Sequence, residues 1–535
     1  MKLTFIGADH EVTGSRHLLE TKDTKILVDC GMEQGSNPYE NAPMPVDFPE
    51  IDYIILTHAH IDHAGMIPYA YAHGFSGTVL ATDASMDLDS IMLLDSANIQ
   101  EQDAEWENRK AKRAGKPLVE PLYTVEDAKK ALESFRAIPY GKIEELSDTV
   151  KLRFIDAGHL LGSASAEIWI DEDGVSKKLV FSGDIGNHDK PLIRDPQYID
   201  EADYVIMEST YGDRHHAKGV DHIRELSDII QRTLDRGGNV VIPAFAVGRT
   251  QEMLYFIRRI KADGLVKGHD GFPVYVDSPL AIEATKIFRE NLTECYDEET
   301  KKLVLSGINP IGFPNLRLSV TADDSKAINF DQEPKVIISA SGMCDAGRIR
   351  HHLKHNLWRP ACSVVFAGYQ AEGTLGRQLQ DGKKDVKIFG EAIHVEASIE
   401  TMGDMSSHAD QEGLLSWVGA YKKAPSRVFL VHGDDGAMEE LSGLIKERYG
   451  FKVECPYSGT VFDLAADCFI HEAEPVFRKK QTAVNTRNEK IRSELSAAME
   501  ELEKLCGRYE AFSNKDIRKL TADIRDIINK HKTDD

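Results

Sequence analysis

Four side chains that can bind a metal lie within six residues of one another: His58, His60, Asp62 and His63. They follow residues 53–56, a short apolar run rich in β-branched side chains that predicts a buried strand. On an extended segment, side chains two apart point to the same side, so His58 and His60 would face one position while Asp62 and His63 turn towards a second. Zn²⁺ accepts imidazole nitrogen and carboxylate oxygen as ligands. The cluster therefore predicts a pocket for two metal ions at the end of a strand.

Two further metal candidates stand where predicted strands end. His159 follows residues 152–156 and a glycine, and Asp184 follows residues 179–181 and another glycine. A strand that delivers a ligand just past a glycine leaves that ligand little backbone freedom. Taken singly, either residue fits an exposed turn equally well. Together with the first cluster they predict one ligand set.

Two histidines late in the chain occupy similar positions. His408 precedes a predicted helix, and His432 ends a strand predicted at residues 427–431 and is followed by Gly433. This segment resembles the strand-rich beginning of the chain. We therefore expect the chain to return there to its first domain.

The predicted elements divide the chain into domains. Residues 1 to about 210 are rich in predicted strands, with helices predicted at residues 87–106 and 125–135 and a basic polar stretch at residues 108–116 between them. After residue 213, apolar strands alternate with helices, which predicts a parallel α/β sheet inserted into the first domain.

The end of the chain has a different character. Beyond about residue 463 the sequence is charged and helical, with apolar residues at helical spacing from Ile491 to Tyr509 and from Ile517 to Ile527. Such helices can pair with a second copy, bind a partner or pack on their own chain. No catalytic residue type clusters there.

Small-residue turns end three strands of the inserted sheet. They lie at residues 248–250, 339–343 and 368–374. Free backbone N–H groups and the helix dipole favour an anion at such loops. Most glycine-rich turns have only a structural role, but three such turns at one edge of the sheet predict phosphate binding. The candidate contacts are Arg249, Ser341 and Gly342.

Composition bounds the class of protein. The 535 residues suggest two to four domains, and 41% hydrophobic with 28% charged residues is typical of globular proteins. No secretory signal, no apolar run of about 20 residues and no C-x-x-C pair is present, so we expect a cytoplasmic protein without a membrane span, a disulfide framework or a thiolate zinc site. The net charge of −24 argues against a broad nucleic-acid-coating surface but allows a nuclease with a local basic pocket.

The motif His58-x-His60-x-Asp62-His63, followed by His159 and Asp184, resembles the metallo-β-lactamase superfamily. Asp29, at the end of a predicted strand, matches the leading acidic motif of that superfamily. The resemblance implies an αββα sandwich of two sheets flanked by helices, with two zinc ions at one edge.

Three later motifs resemble those of the β-CASP nucleases: Glu208 in Met-Glu-Ser-Thr-Tyr-Gly, His408 in Ser-Ser-His-Ala-Asp and His432 in Leu-Val-His-Gly. Residues 243–252 and 367–376 are similar to the branch that contains the endonuclease of the pre-mRNA 3′-end cleavage machinery. The resemblance covers about residues 1–460. A histidine at the last motif is typical of RNA-directed members.

The resemblance also implies a domain plan. A metallo-β-lactamase domain would occupy residues 1–208 and 397–462, with a parallel-sheet β-CASP domain inserted at 209–396. A helical C-terminal extension would occupy 463–535.

The same resemblance assigns roles to the candidate residues. His58, His60 and His159 would hold one zinc ion, Asp62, His63 and His432 the other, and Asp184 would bridge the two. His408 would protonate the leaving 3′ oxygen, Glu208 would orient His408, and Asp29 would hold a metal-binding histidine.

The implied activity is hydrolysis of RNA phosphodiesters by two-metal in-line attack, leaving 3′-hydroxyl and 5′-phosphate ends. Cleavage could be endonucleolytic or 5′-exonucleolytic, on single-stranded RNA, in RNA processing or decay. A homodimer through the β-CASP domain or the C-terminal helices stays open. The alternatives are a small-molecule metallohydrolase acting on an ester, thioester or phosphodiester, a DNA nuclease, and a scaffold in an RNA-processing complex.

Overall fold

The computed structural model describes residues 1–478, apart from residues 36, 116, 218 and 404, and residues 513–530. The chain divides into two compact units, Met1–Phe477 and Arg478–Asp535. The described residues of the second unit contain the helix Asn514–Lys530. The helix predicted between Ile491 and Tyr509 lies outside the described residues.

The described residues form the following strands, in chain order: β1 (Lys2–Gly7), β2 (Arg16–Glu20), β3 (Lys25–Val28), β4 (Tyr53–Ile55), β5 (Thr78–Ala81), β6 (Phe135–Ala137), β7 (Glu144–Glu145), β8 (Val150–Asp156), β9 (Ala164–Glu172), β10 (Val175–Phe181), β11 (Tyr204–Glu208), β12 (Val240–Pro243), β13 (Val274–Val276), β14 (Leu316–Leu318), β15 (Val336–Ser339), β16 (Ser363–Phe366), β17 (Asp385–Ile388), β18 (Glu391–His394), β19 (Ser398–Thr401), β20 (Arg427–Val431), β21 (Val453–Glu454), β22 (Val461–Asp463) and β23 (Cys468–His471). The helices are α1 (Ile61–Ala64), α2 (Ile67–Ala72), α3 (Asp83–Ala114), α4 (Val125–Leu132), α5 (His222–Asp235), α6 (Arg249–Ala262), α7 (Pro279–Glu290), α8 (Leu292–Cys295), α9 (Glu298–Leu305), α10 (Ala322–Phe330), α11 (Ile349–Asn356), α12 (Leu375–Gln380), α13 (Gln411–Val418), α14 (Asp435–Tyr449) and α15 (Asn514–Lys530).

Two mixed sheets pack face to face in the first unit. One has the strand order β23-β22-β1-β2-β3-β4-β5-β6, and the other has the order β21-β20-β11-β10-β9-β8-β7. Their facing side chains, among them Phe5 and Ile55 from the first sheet and Phe154 and Phe429 from the second, form one buried apolar cluster. Burial of this apolar surface is the main term that holds the sheets together.

Helices cover the outer face of each sheet. Ile54 and Val79 of the first sheet pack with apolar residues of α1, α2, α3 and α4. Val205 and Leu430 of the second sheet pack with α13 and α14, where Trp417 is fully enclosed. The four layers form an αββα sandwich, so the fold class expected from the sequence is confirmed.

A third sheet lies between β11 and β20 in the sequence. Its order is β14-β13-β15-β12-β16-β19, and each of its strand pairs is parallel. Apolar side chains on both faces are buried under helices, as a parallel sheet requires. β11 and β20 are nonetheless neighbours in the second sheet, with Glu208 beside Val431. The parallel sheet is therefore an insertion into the sandwich.

Three elements differ from the sequence predictions. The polar stretch 108–116 does not separate two helices, because α3 runs without a break to Ala114. β19 lies beyond residue 396, where the inserted domain was expected to end, yet it pairs with β16. β23 lies within the segment expected to be helical from residue 463 onward, and it pairs with β22 at the edge of the first sheet.

Among the described helices, none combines the length and the apolar character needed to cross a lipid bilayer.

Candidate metal centre

The candidate ligands meet at one edge of the sandwich because of strand direction. β10, β11 and β20 are mutually parallel, and β8 runs the same way because β9 is antiparallel to both β8 and β10. Their carboxyl ends therefore share an edge, which receives His159, Asp184, Glu208 and His432. β4 of the other sheet ends at the same place and supplies the first cluster through its loop and α1.

The first group of ligand atoms comes from His58, His60, His159 and Asp184, and all lie within 4.8 Å of one another. Nε2 of His58 is 3.0 Å from Nδ1 of His60, and Nε2 of His159 is 3.3 Å from the same Nδ1. Oδ2 of Asp184 lies 3.4 Å from Nε2 of both His58 and His159. Three ring nitrogens and one carboxylate oxygen thus converge on one point.

The second group comprises Asp62, His63 and His432, also within 4.8 Å. Nε2 of His63 is 3.1 Å from Nε2 of His432, which is 3.6 Å from Oδ2 of Asp62. Oδ1 of Asp184 lies 3.3 Å from His63 Nε2 and 3.7 Å from His432 Nε2. Asp184 therefore turns one oxygen to each group.

The donor set fits a pair of divalent cations. Asp184 is 2% exposed, and its Oδ1 is buried without a hydrogen-bond partner among the described residues. An unsatisfied buried carboxylate oxygen is costly unless a cation or donor meets it. Ring nitrogens packed against each other likewise need a common Lewis acid. Five imidazoles and two carboxylates are ligands typical of zinc.

Burial and charge set the ionisation of these groups. Burial lowers the pKa of all three histidines of the first group. The pKa of His58 falls below its usual value, that of His60 falls to about 3, and that of His159 falls well below the ordinary range. These rings are therefore neutral, as metal ligands must be. Burial alone would raise the pKa of Asp184, but the surrounding imidazoles, led by His432 and His63, hold it well below its usual value.

Asp29 lies behind the second group and holds one of its ligands. Its Oδ2 is 2.7 Å from Nδ1 of His63, while Oδ1 accepts a 2.8 Å hydrogen bond from the backbone N–H of Thr57. The Thr57 hydroxyl donates to Asp29 Oδ2 at 3.0 Å and lies 3.2 Å from Nδ1 of His58. Asp29 thereby fixes the ring that presents Nε2 to the centre.

Close approaches of the backbone bring the ligand loops together. A Cβ at Gly31 would lie 1.7 Å from the carbonyl oxygen of Asp62, and a Cβ at Gly186 would lie 1.8 Å from the carbonyl oxygen of Gly158. Gly31 and Gly186 thus let the loops of Asp62 and of His159 and Asp184 pack closely. Side chains at either position would push them apart.

Two residues of the centre have left-handed backbone conformations. Asp29 and His432 have φ of 58° and 50°, each at the first position after its strand. Non-glycine residues seldom adopt this conformation, and such strain is concentrated at functional sites.

His408 and Glu208 lie beside the first group. Nδ1 of His408 is 3.1 and 3.3 Å from the two carboxylate oxygens of Glu208 and 3.9 Å from Oδ2 of Asp184. Burial disfavours the imidazolium, but the Glu208 and Asp184 carboxylates outweigh it and raise the pKa of His408 to about 9. Asp184, Glu208 and His408 also form a third cluster of ligand atoms within 4.8 Å. The geometry suits His408 as proton donor or as metal ligand.

The three phosphate candidates lie in neighbouring loops of the parallel sheet. Arg249, at the start of α6, pairs closely with Glu252, which also contacts Lys190 at 2.8 Å. Gly342 is buried beneath Phe245, because a Cβ there would lie 3.2 Å from the phenyl ring. The Ser341 hydroxyl is 3.4 Å from the carbonyl oxygen of Ala346. Their role in binding phosphate stays a prediction.

Three residues near the centre were not identified from the sequence. Thr57 supports Asp29 as described, and Thr210 Oγ1 lies 3.0 Å from Nδ1 of His432. His17, on β2, is 2% exposed, and burial lowers its pKa to about 3. Thr57 and Thr210 stand beside motif residues, which is a usable signal, but nothing around His17 in the sequence marks it.

The chain matches three known domain families. Residues 18–194 match the metallo-beta-lactamase superfamily domain, residues 250–379 match the Beta-Casp domain, and residues 392–456 match the Zn-dependent metallo-hydrolase RNA specificity domain. The last match includes His408 and His432.

Relatives align along most of the chain. Ribonuclease TTHA0252 of Thermus thermophilus is 37% identical over 451 residues, covering 84% of this chain and 96% of that protein. Transcription termination factor FttA of Methanocaldococcus jannaschii is 32% identical over 467 residues, covering 84% of this chain and 69% of that protein. An RNase J-like protein of the same organism is 32% identical over 465 residues, covering 86% of this chain and 99% of that protein.

Proposed function

Because this chain belongs to the β-CASP ribonuclease family and is a metal-dependent nuclease with the metallo-β-lactamase fold, we propose that it holds two zinc ions and cleaves single-stranded RNA by in-line hydrolysis. One observation carries the proposal. Seven donor side chains form two groups, and Asp184 turns one carboxylate oxygen to each group. Such a site suits phosphodiester hydrolysis, in which charge develops on both the attacking and the leaving oxygen.

The proposed ligands follow these groups. His58, His60 and His159 would hold one ion, and Asp62, His63 and His432 the other, with Asp184 shared. When bound, the ions supply Lewis-acid chemistry that lowers the pKa of water and neutralises phosphate charge. Asp29 keeps His63 oriented through its Nδ1.

His408 is the proposed proton donor to the leaving group. Glu208 engages its Nδ1, so the transferable proton is carried by the opposite ring nitrogen, Nε2. Glu208 is itself fixed, because it accepts a close hydrogen bond from the backbone N–H of Ile185. Protonation of the leaving 3′ oxygen would release a 3′-hydroxyl and leave a 5′-phosphate on the downstream product.

RNA is favoured as substrate by the RNA specificity domain match at residues 392–456 and by the relatives named as ribonucleases. A cytoplasmic location belongs to the same proposal.

The test is cleavage of one 5′-labelled single-stranded RNA and its DNA counterpart, with zinc content measured on the same sample and His408→Ala alongside. We expect the parent protein to cleave the RNA and the His408→Ala variant to give no products. Both proteins should contain two zinc ions per chain. Product lengths distinguish endonucleolytic from 5′-exonucleolytic action. A fully zinc-loaded protein that cleaves neither strand would contradict the proposal and favour a small-molecule ester as substrate, whereas equal cleavage of DNA would make it a general nuclease.

A further inference from the structure

The carboxyl edge of the parallel sheet borders the metal centre. Because the strand pairs of this sheet are parallel, the loops that follow its strands lie at one edge. The loop after β19 leads to His408. In the loop after β12, Gly248 lies against Leu160, the neighbour of His159, since a Cβ at Gly248 would be 3.3 Å from the leucine side chain.

Two large aromatic rings are exposed at this edge. Phe245, in the loop after β12, is 47% exposed, and Tyr369, in the loop after β16, is 57% exposed. Their neighbours Ala244, Ala246 and Gln370 are buried, so the loops are packed while the two rings are not. Leaving this apolar area in water forgoes the stabilisation that burial would give. We call Phe245 and Tyr369 the aromatic pair.

The aromatic pair is fixed by its surroundings. The phenyl ring of Phe245 packs over Gly342. Gln370 donates hydrogen bonds to the carbonyl oxygens of Gly342 at 3.0 Å and Tyr369 at 3.1 Å, which joins the loop after β16 to the loop after β15, against which Phe245 packs. β12 and β16 are adjacent strands, so the loops start about 5 Å apart. The two rings therefore stand on packed loops that start side by side at one edge of the sheet.

We propose that the aromatic pair is a stacking platform for bases of single-stranded RNA next to the scissile phosphate. The proposal rests on the proposed ribonuclease function and names how that site holds its substrate. Bases stack on aromatic rings regardless of sequence, because every base has a π-face.

Charge near the platform is consistent with this ligand. Arg249 and Lys190 share the single carboxylate of Glu252, so these three groups carry a net charge of about +1 beside an otherwise acidic protein. Stacking would let a chain of net charge −24 hold RNA without a broad basic surface.

The test measures RNA binding directly. Each protein carries His408→Ala so that the RNA survives, and the Kd for a fluorescein-labelled single-stranded RNA is measured by anisotropy. We expect Phe245→Leu and Tyr369→Ala each to weaken binding by about 5- to 150-fold, the range found when a stacking aromatic is removed. Tyr369→Phe keeps the ring and should bind like the parent.

Two controls separate stacking from disruption of the fold. Phe330 is 72% exposed at the end of α10, ahead of β15 and so at the opposite edge of the sheet, and Phe330→Ala should not change the Kd. An RNA with abasic residues has no bases to stack, so its Kd should be nearly the same for the parent and the two variants.

Parent-like RNA binding by both variants would overturn the proposal, as would equal losses on intact and abasic RNA. The outcome is independent of catalysis. If the unsubstituted enzyme cleaves no RNA but Phe245→Leu still weakens base-dependent binding, the platform stands and the ribonuclease proposal fails.

Discussion

At the scale of single residues, three of the five histidines proposed as metal ligands have a partner at the ring nitrogen that does not face the centre. Asp29 engages Nδ1 of His63, Thr210 engages Nδ1 of His432, and Thr57 lies 3.2 Å from Nδ1 of His58. Each contact leaves Nε2 turned towards the centre and limits rotation of the ring. Such partners contribute to affinity although they do not touch the metal.

Asp29→Asn should weaken metal binding without removing a ligand. The asparagine would lose the charge that attracts His63 Nδ1–H and could not accept hydrogen bonds with both oxygen positions. We expect the affinity at the second metal position to fall about 10- to 100-fold. Competition for zinc with a coloured chelator measures it. Asp173→Asn, in the turn after β9, is the control because that side chain is 76% exposed. Unchanged affinity in Asp29→Asn would contradict the role of Asp29.

The roles of His408 and Asp184 can be separated by pairing metal analysis with kinetics. His408→Ala should keep both zinc ions and lower turnover by about 10²- to 10⁴-fold, as loss of a general acid does. Asp184→Ala removes an oxygen from each group and should lose metal as well as activity. Equal metal depletion in the two variants would mean that His408 is a ligand, which its place in the third cluster allows.

At the scale of elements, the centre depends on loops that touch through their backbones. Gly186→Ala should disturb it, because the added Cβ would lie 1.8 Å from the carbonyl oxygen of Gly158. We expect a loss of about 1–3 kcal/mol in the free energy of unfolding and a lower zinc content. Urea unfolding and metal analysis measure the two effects.

The matched control for Gly186→Ala is Gly443→Ala. Gly443 lies in α14 and has nothing within 4 Å of an added Cβ. Alanine favours a helix over glycine by about 1 kcal/mol, so this variant should be at least as stable as the parent. A fully stable, zinc-loaded Gly186→Ala protein would show that the two loops have room to separate.

Elements with a clear apolar pattern in the sequence could be predicted. Elements that form only because they pair with a neighbouring strand could not. The apolar runs at β4, β12 and β15 identify their strands, since both faces of each are buried. α3 was predicted as shorter because residues 108–116 have no apolar face, yet charged side chains favour a helix that extends into solvent. β23 is partly exposed and exists because β22 offers it an edge. No local pattern signals such a strand.

Some residues of the candidate site could likewise be predicted from the sequence, and others could not. Histidines and aspartates at strand ends are visible in a sequence, and the structure brings all seven proposed ligands together. Thr210 stands next to a motif in the sequence, but only the structure shows its contact with His432, and His17 became visible only through packing, because a lone histidine has no spacing to interpret. Phe245 reads as an ordinary apolar residue after a strand, and only its exposure singles it out.

At the scale of the whole molecule, the insertion divides the residues of the centre into two segments of the sequence that the sandwich brings back together. β11 and β20 are neighbours in the sandwich, but about 220 residues separate them in the sequence, and the parallel sheet lies in that interval. The chain leaves the sandwich just after Glu208 and returns through His408. Those two side chains meet at 3.1 Å. The proposed acid therefore forms only when the fold brings the two ends of the insertion together.

A protein with a net charge of −24 should hold few RNA phosphates, and the salt dependence of its RNA affinity measures how many it holds. If only two or three phosphates are held near Arg249, the slope of log K against log salt should lie between about −1.4 and about −2.1, since each phosphate contact on a single strand contributes about −0.7. Arg249→Gln should make the slope shallower by one such contact, with Lys190 left to pair with Glu252. Arg113→Gln, at the exposed end of α3, is the control and should change nothing. Filter binding from low to moderate salt measures the slopes.

A slope steeper than about −4 would indicate six or more phosphate contacts. The acidic exterior would then conceal an extended basic path, and stacking would not be needed to explain how this protein holds RNA.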